Sequence, residues 1–389
     1  MKPKQIVSKL RDNKEIPEKY IPPKQQIALF SSTTRKKLVK TYLENNKESV
    51  ENFIKEHAWE KIEDERNIVC LYANTNPDNF LLIITSKALM TNIIQQNSSQ
   101  GYSFFHLDAT YKLLLNGFML LTIGTENQNH QFRFIGCAIS SHEDTLAYQT
   151  FLTQIKDNLK KHFNFDWKPH FGVSDAAESL NSAMQNVFGE MDHIRCFFHV
   201  VKTIRDKVFR WKVLSERKLL KDSWGFIHYG IKTMHKMQTD EDFLNIWNFV
   251  KADWKSKQLP DLFTEYLEKN FVNNRKKLRW NRLETLGINM TNNGLERLHR
   301  DLKETYTQKK KMQLNEFILQ AQRFIRDYSI DHKDDFLKPF EATNEFWRKA
   351  QNLLRDDQNE RGPFYDIREG YALFIKKKKN IDLFEQRRK

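Results

Sequence analysis

Asp108, Asp175 and Glu296 are the residues whose type and placement could do chemistry. Cutting or joining a phosphodiester needs an oxygen nucleophile made potent and a leaving oxygen stabilised, both beside a charged phosphate. Two hard cations a few ångströms apart do both jobs, and carboxylates are their natural ligands. Acids converging without Cys or His favour a pair of Mg2+ or Mn2+ ions and disfavour zinc. Cys196 and His199 have the spacing of half a zinc site, but no second half stands nearby and Cys70 and Cys137 lie far off. A packing role, or a hydrogen bond that buttresses Asp175, is the expectation for this pair.

Each acid has an ordinary alternative. Asp175 with Glu178, and Asn293 with Glu296, have the spacing of a helix-capping box. Glu296 also stands four residues before Arg300, an ion-pair spacing worth only about 0.2–0.5 kcal/mol. Asp108 is harder to explain away, because its strand neighbours are apolar and an unpaired carboxylate there is costly.

The elements that must position these acids can be read from periodicity. Phe171 and Val173 lead to Ser174-Asp175, after which Leu180, Met184 and Val187 recur at helical spacing, so Asp175 ends a strand. In parallel sheets that edge is where ligands bind. A second apolar run, Ile194 to Val201, reads as the next strand. Upstream, Phe104, His106 and Asp108 share one strand face and Phe105, Leu107 and Ala109 the other. Asn116-Gly117 signals a hairpin into FMLLTIG, ENQNH turns into QFRFIGCAIS, and a helix spans about 144–162. The order is three antiparallel strands followed by parallel strands with crossover helices. That is an α/β chain with the five-stranded mixed sheet of the ribonuclease H-like fold.

Around this core the chain divides into stretches. Residues 1–60 read as a small helical module broken by Pro17, Pro22 and Pro23, with a weak helix-turn-helix flavour that would put it on DNA. Residues 61–100 supply two strands and a helix before the core. The α/β core runs over 101–210, an all-helical, tryptophan-containing stretch over 211–290, the last helices with Glu296 over 291–330, and a basic tail over 331–389. The tryptophans are expected in the core of the helical stretch.

Composition bears on partners. Lys and Arg number 64 against 50 Asp and Glu, a net charge of +14, and the obvious polyanion is nucleic acid. The best phosphate contacts are Arg275, Lys276, Lys277, Arg279 and Arg282, which lead into the helix of Glu296, and Arg300 and Lys303 on that helix. The first twenty residues are charged where a signal peptide needs an apolar stretch, and no run of about 18 apolar residues marks a membrane span.

At FFHLDATYKLL, GVSDAAESLNSAM, HIRCFFHVVK and TNNGLERLHRDLK the sequence resembles the transposases of Mutator-like elements (MULE), of the DDE superfamily. The resemblance covers about residues 60–330, and PKQIVSKLRD with PPKQQIALF is similar to the stretch before the core. It implies that Asp108, Asp175 and Glu296 are the metal-binding catalytic triad, and that the helical stretch between the second and third acids is the family's insertion. It further implies cleavage of double-stranded DNA at transposon ends and strand transfer to target DNA by a homo-oligomer; that substrate, with the basic runs near Lys309 and Lys376, leads to the expectation of a nuclear protein. Relatives usually carry a zinc-binding recognition domain upstream and often a zinc finger downstream, and three scattered cysteines supply neither. Two other readings remain. One is a transposase-derived transcriptional regulator that binds DNA without catalysis, although such regulators usually lose acids of the triad. The other is a ribonuclease H-like nuclease that hydrolyses RNA in hybrids.

Overall fold

The computed structural model describes residues 22, 25–26, 41, 43, 46–127, 130–189, 191–237, 239–273, 279–281, 290–330, 365–367 and 371–373. Two compact units divide the chain, Met1–Phe336 and Leu337–Lys389. In the second, strands β8 (Tyr365–Ile367) and β9 (Tyr371–Leu373) form an antiparallel pair. Most of the expected N-terminal module and of the basic tail lies outside the described residues.

The first unit is built on one mixed sheet. Its strands are β1 (Ile68–Asn74), β2 (Leu81–Ser86), β3 (Phe104–Thr110), β4 (Met119–Glu126), β5 (Phe132–Ser140), β6 (Phe171–Ser174) and β7 (Asp192–Arg195). They lie in the order β1-β2-β5-β4-β3-β6-β7. β3, β4 and β5 pair antiparallel, and β6 and β7 continue from β3 in parallel. The sheet therefore has seven strands and not the expected five. The two upstream strands are not a separate preface: β2 pairs antiparallel with β5, from Leu81 opposite Ser140 to Thr85 opposite Gly136. Every residue of β2 is buried, as an interior strand covered on both faces must be, and β1 takes the edge beside it.

Two apolar cores follow from the two-residue alternation of the strands. Leu82, Ile84, Leu120 and Phe134 face α1 (Lys47–Glu56), α10 (Asn293–Asp301) and α11 (Leu314–Ile330). Leu81, Ile83, Phe105, Leu107, Leu121 and Ile135 face α2 (Lys87–Gln100), α3 (Thr145–Phe163) and α4 (Glu178–Phe188). The β3–β4 connection departs from the expected hairpin. Leu113 and Leu114 leave the sheet, Leu115–Gly117 form a 3-10 turn, and Gly117 takes a φ of 84° that suits glycine.

The apolar run from Ile194 is also corrected. β7 stops at Arg195, and α5 (Phe197–Phe209) begins beyond Cys196. A short apolar run does not separate strand from helix by itself, and here Val200, Ile204 and Val208 set the period of a buried helical stripe. That stripe joins α6 (Leu214–Asp222), α7 (Trp224–His235), α8 (Asp240–Ser256) and α9 (Asp261–Leu267) around a third core. Trp247, Trp254 and Trp280 are buried in it, as core tryptophans. No helix among the described residues is long and apolar enough to cross a membrane.

Candidate functional site

Asp108 is the fifth residue of β3, and Asp175 is the first residue after β6. Because β3 and β6 are adjacent and parallel, with His106 opposite Val173, both acids emerge at one carboxyl edge of the sheet. Glu296 reaches that edge from the first turn of α10, which is fastened to the sheet by buried Leu295 and Leu298. Burying side chains of this size contributes about 1.5–3 kcal/mol each, enough to set the helix's rotation. Asp108, Asp175 and Glu296 line one open cleft of ≈ 830 Å3, with Glu143, His199, His299, Lys202, Arg300 and Lys303 on its walls.

Within the cleft, Asp108, His199 and Glu296 come closest: each offers one ligand atom, and these atoms lie within 4.8 Å of one another. Asp175 lines the same cleft but is not part of that tightest group. His199 enters because α5 starts directly after β7 and turns its third residue back over the sheet edge. The convergence is thus not free of histidine, contrary to the sequence expectation. The ring Nδ1 of His199 is buried with no hydrogen-bond partner, and burial lowers its pKa while the Asp175 and Glu296 charges oppose that shift. A neutral imidazole with a bare buried nitrogen beside two carboxylates is a set that fits a divalent cation.

The electrostatics point the same way. Burial raises the pKa of Asp108 to about 7, opposed by the Ala109 amide donating to its Oδ1 at 2.9 Å and reinforced by the charges of Asp175, Glu296 and Glu143. The pKa of Glu143 is also raised by burial, against a 2.8 Å hydrogen bond from the Tyr148 hydroxyl. Four carboxylates facing one space repel each other, and a cation relieves that repulsion.

The capping alternatives do not form. Asp175 Oδ1 accepts from the Ala177 amide at 2.9 Å, and α4 starts at Glu178 with no side-chain cap. The residue before α10 is Asn292, whose side chain is engaged elsewhere. Among the described residues Glu296 and Arg300 make no ion pair with each other.

Cys196 and His199 divide their labour. Cys196 is buried, its thiol pKa is pushed to about 11 by burial, and its Sγ accepts from the Asn292 amide at 3.2 Å. The Asn292 side chain donates to the Leu107 carbonyl at 3.2 Å and meets His106 Nδ1 at the same distance. Asn292 therefore clasps the entrance of α10 to both β3 and α5.

Further supporting residues were not evident in the sequence. His299 Nε2 lies 2.7 Å from the Thr122 hydroxyl and its Nδ1 lies 3.9 Å from Asp108 Oδ2. Burial holds the pKa of His299 down at about 3, so it stands neutral behind Asp108. His193, whose pKa is lowered to about 4 by burial, lies 2.6 Å from Ser174 Oγ, which donates to the Asp175 carbonyl. It braces the turn that carries Asp175.

The basic candidates separate in the same way. Arg300 and Lys303 line the cleft. Arg279 pairs with Asp192 at 3.2 Å, and its carbonyl accepts from the Arg195 amide, closing the edge of β7. Arg275, Lys276, Lys277 and Arg282 lie outside the described residues.

No curated protein matches the chain. The family described as MULE transposase domain matches residues 104–203, from the start of β3 into α5, and so takes in Asp108, Asp175, Cys196 and His199. Through residues 104–203, the stretch that holds two of the three candidate acids, the chain carries a MULE transposase domain.

Proposed function

We propose that this chain is the catalytic region of a DDE-type DNA transposase, which cleaves double-stranded DNA at transposon ends and transfers the strand to target DNA. The observation that carries the proposal is the convergence of Asp108, His199 and Glu296 within 4.8 Å beside Asp175. The order β5-β4-β3-β6-β7, antiparallel then parallel, supports a ribonuclease H-like core within the seven-stranded sheet.

In this reading Asp108, His199 and Glu296 would hold a divalent ion, and Asp175 and Glu143, which line the same cleft, are the further carboxylates available to a second one. Mg2+ or Mn2+ fits the oxygen-rich set, and the imidazole is tolerated best by Mn2+. Bound there, such ions supply a polarised phosphate and an activated oxygen nucleophile. The chain's own residues do the rest. Lys202, Arg300 and Lys303 neutralise the phosphates on either side of the scissile bond. His299 and Asn292 hold Asp108 and α10 in place. Water attacks phosphorus and releases a 3′-hydroxyl, and that hydroxyl then attacks a target phosphate, displacing its 3′-oxygen. A homo-oligomer working in the nucleus would bring two transposon ends together.

The second reading, a DNA-binding regulator without catalysis, predicts duplex binding with no metal-dependent strand breakage. The presence of all the acids in one cleft favours the enzyme. The test pairs Mn2+ titration with nicking of a supercoiled plasmid, for the wild type and for Asp108→Asn, Asp175→Asn and Glu296→Gln. Loss of both saturable Mn2+ binding and nicking in the variants, with unchanged circular dichroism, is expected. Retained nicking by Asp175→Asn would sink the assignment.

A further inference from the structure

The wall of the cleft carries an aromatic group that the carboxylate chemistry does not use. Tyr111 follows β3 directly, three residues beyond Asp108, and lines the same cleft with 45% of its surface exposed. A single exposed tyrosine is ordinary on a protein surface. This one differs in how it is held.

Upstream, β3 fixes the chain through its pairing with β4, which reaches Thr110 opposite Leu120. Downstream, Leu113 and Leu114 are buried, and the backbone is clipped to a second loop. The Leu115 amide donates to the Met312 carbonyl at 2.7 Å, and the Met312 amide donates to the Leu113 carbonyl at 2.9 Å. Both loops adopt backbone conformations that side chains other than glycine rarely take: Lys112 has a φ of 72°, Gln308 of 48° and Lys309 of 60°. Left-handed lysines persist only where the surroundings over-determine them, and such residues cluster at functional sites. The clip therefore fixes the backbone that carries Tyr111 beside the cleft, which lowers the cost of ordering that segment on binding.

The charges around it define the ligand. Lys303 lines the cleft with Tyr111, as does Lys309, which pairs with Glu304 at 3.4 Å, and the charge of Lys112 acts on Lys303, whose pKa is lowered first by burial. An aromatic face among cations is the arrangement that takes single-stranded nucleic acid, with bases stacked on the ring and phosphates on the lysines. We propose that Tyr111 is a stacking platform for an unpaired base of the DNA strand whose phosphate enters the carboxylate cleft. This rests on the reading of the cleft as a DNA-processing site and adds a requirement that the duplex open beside the reacting bond.

The test is binding of two short probes in the presence of Ca2+, a hard cation that oxygen ligands hold: a single-stranded oligothymidylate, and a chain of the same length made only of abasic deoxyribose phosphates. Wild type and Tyr111→Phe should bind the oligothymidylate about 5- to 150-fold more tightly than Tyr111→Ala, the range that base–aromatic stacking spans. All three proteins should bind the abasic chain equally. Because Tyr111 is exposed, the alanine variant keeps the fold, and equal abasic binding checks that it does. Equal affinity of wild type and Tyr111→Ala for oligothymidylate overturns the stacking platform and leaves the metal-dependent reading intact. Failure of the wild type to bind either probe overturns the platform and counts against a DNA-acting cleft altogether.

Discussion

His299 shows at the scale of single residues what a carboxylate needs behind it. Its Nε2 lies 2.7 Å from the Thr122 hydroxyl and its Nδ1 3.9 Å from Asp108 Oδ2, so the ring, kept neutral by burial, packs behind the acid without adding charge. Partners of this kind behind metal ligands typically contribute 10- to 100-fold in metal affinity. His299→Leu is therefore expected to weaken Mn2+ binding by about that factor, measured by electron paramagnetic resonance titration. An unchanged affinity would make His299 a core residue only. Asp108 could be picked out in the sequence because a carboxylate inside an apolar strand is conspicuous. His299 could not, since it reads as a polar residue on a helix, and its meaning depends on Thr122, 177 positions away.

Elements set the next scale, and α10 is the one on which the site turns. It lies against β5 so closely that a Cβ added at Gly294 would come within 2.6 Å of the Phe132 Cβ and Cγ atoms. Gly294→Ala must therefore push the helix away from the strand, and with it Glu296, two residues on. Overpacking of this kind costs about 1–3 kcal/mol. The expected outcome is a lowered urea midpoint together with weakened Mn2+ binding. A variant of wild-type stability would show that Phe132 yields instead. The helix itself was visible in the sequence from Leu295, Leu298 and Leu302. Its docking was not, because the clasp that holds its entrance joins Asn292 to Leu107 and Cys196, residues far apart in the chain. The same limit explains β7, where a run of apolar residues fits either a strand or a helix until the packing of Val200, Ile204 and Val208 decides.

For the molecule as a whole, the excess of 14 positive charges governs how it meets DNA. Binding to duplex should weaken steeply with salt, because each neutralised phosphate releases counterions. Arg300→Ala and Lys303→Ala should each reduce the slope of log affinity against log salt by about one, with random duplexes affected alike. A slope unchanged by either substitution would place the phosphate path elsewhere on the surface. Fluorescence anisotropy across a salt series makes the measurement.

The sequence by itself determined the α/β class, the order of β3 to β7, the strand edge at which Asp175 emerges, and the sign of the net charge. These follow from local periodicity and composition, which are carried by neighbouring residues. Only the tertiary structure decided that β1 and β2 complete a seven-stranded sheet, since an interior strand reads the same whichever strand it pairs with. It alone brought His199 next to Asp108 and Glu296, put Cys196 behind α10, and placed Tyr111 on the wall of the cleft. Each of these is a meeting of residues distant in sequence. Such meetings depend on how helices and strands pack, and no local pattern of residue types encodes them.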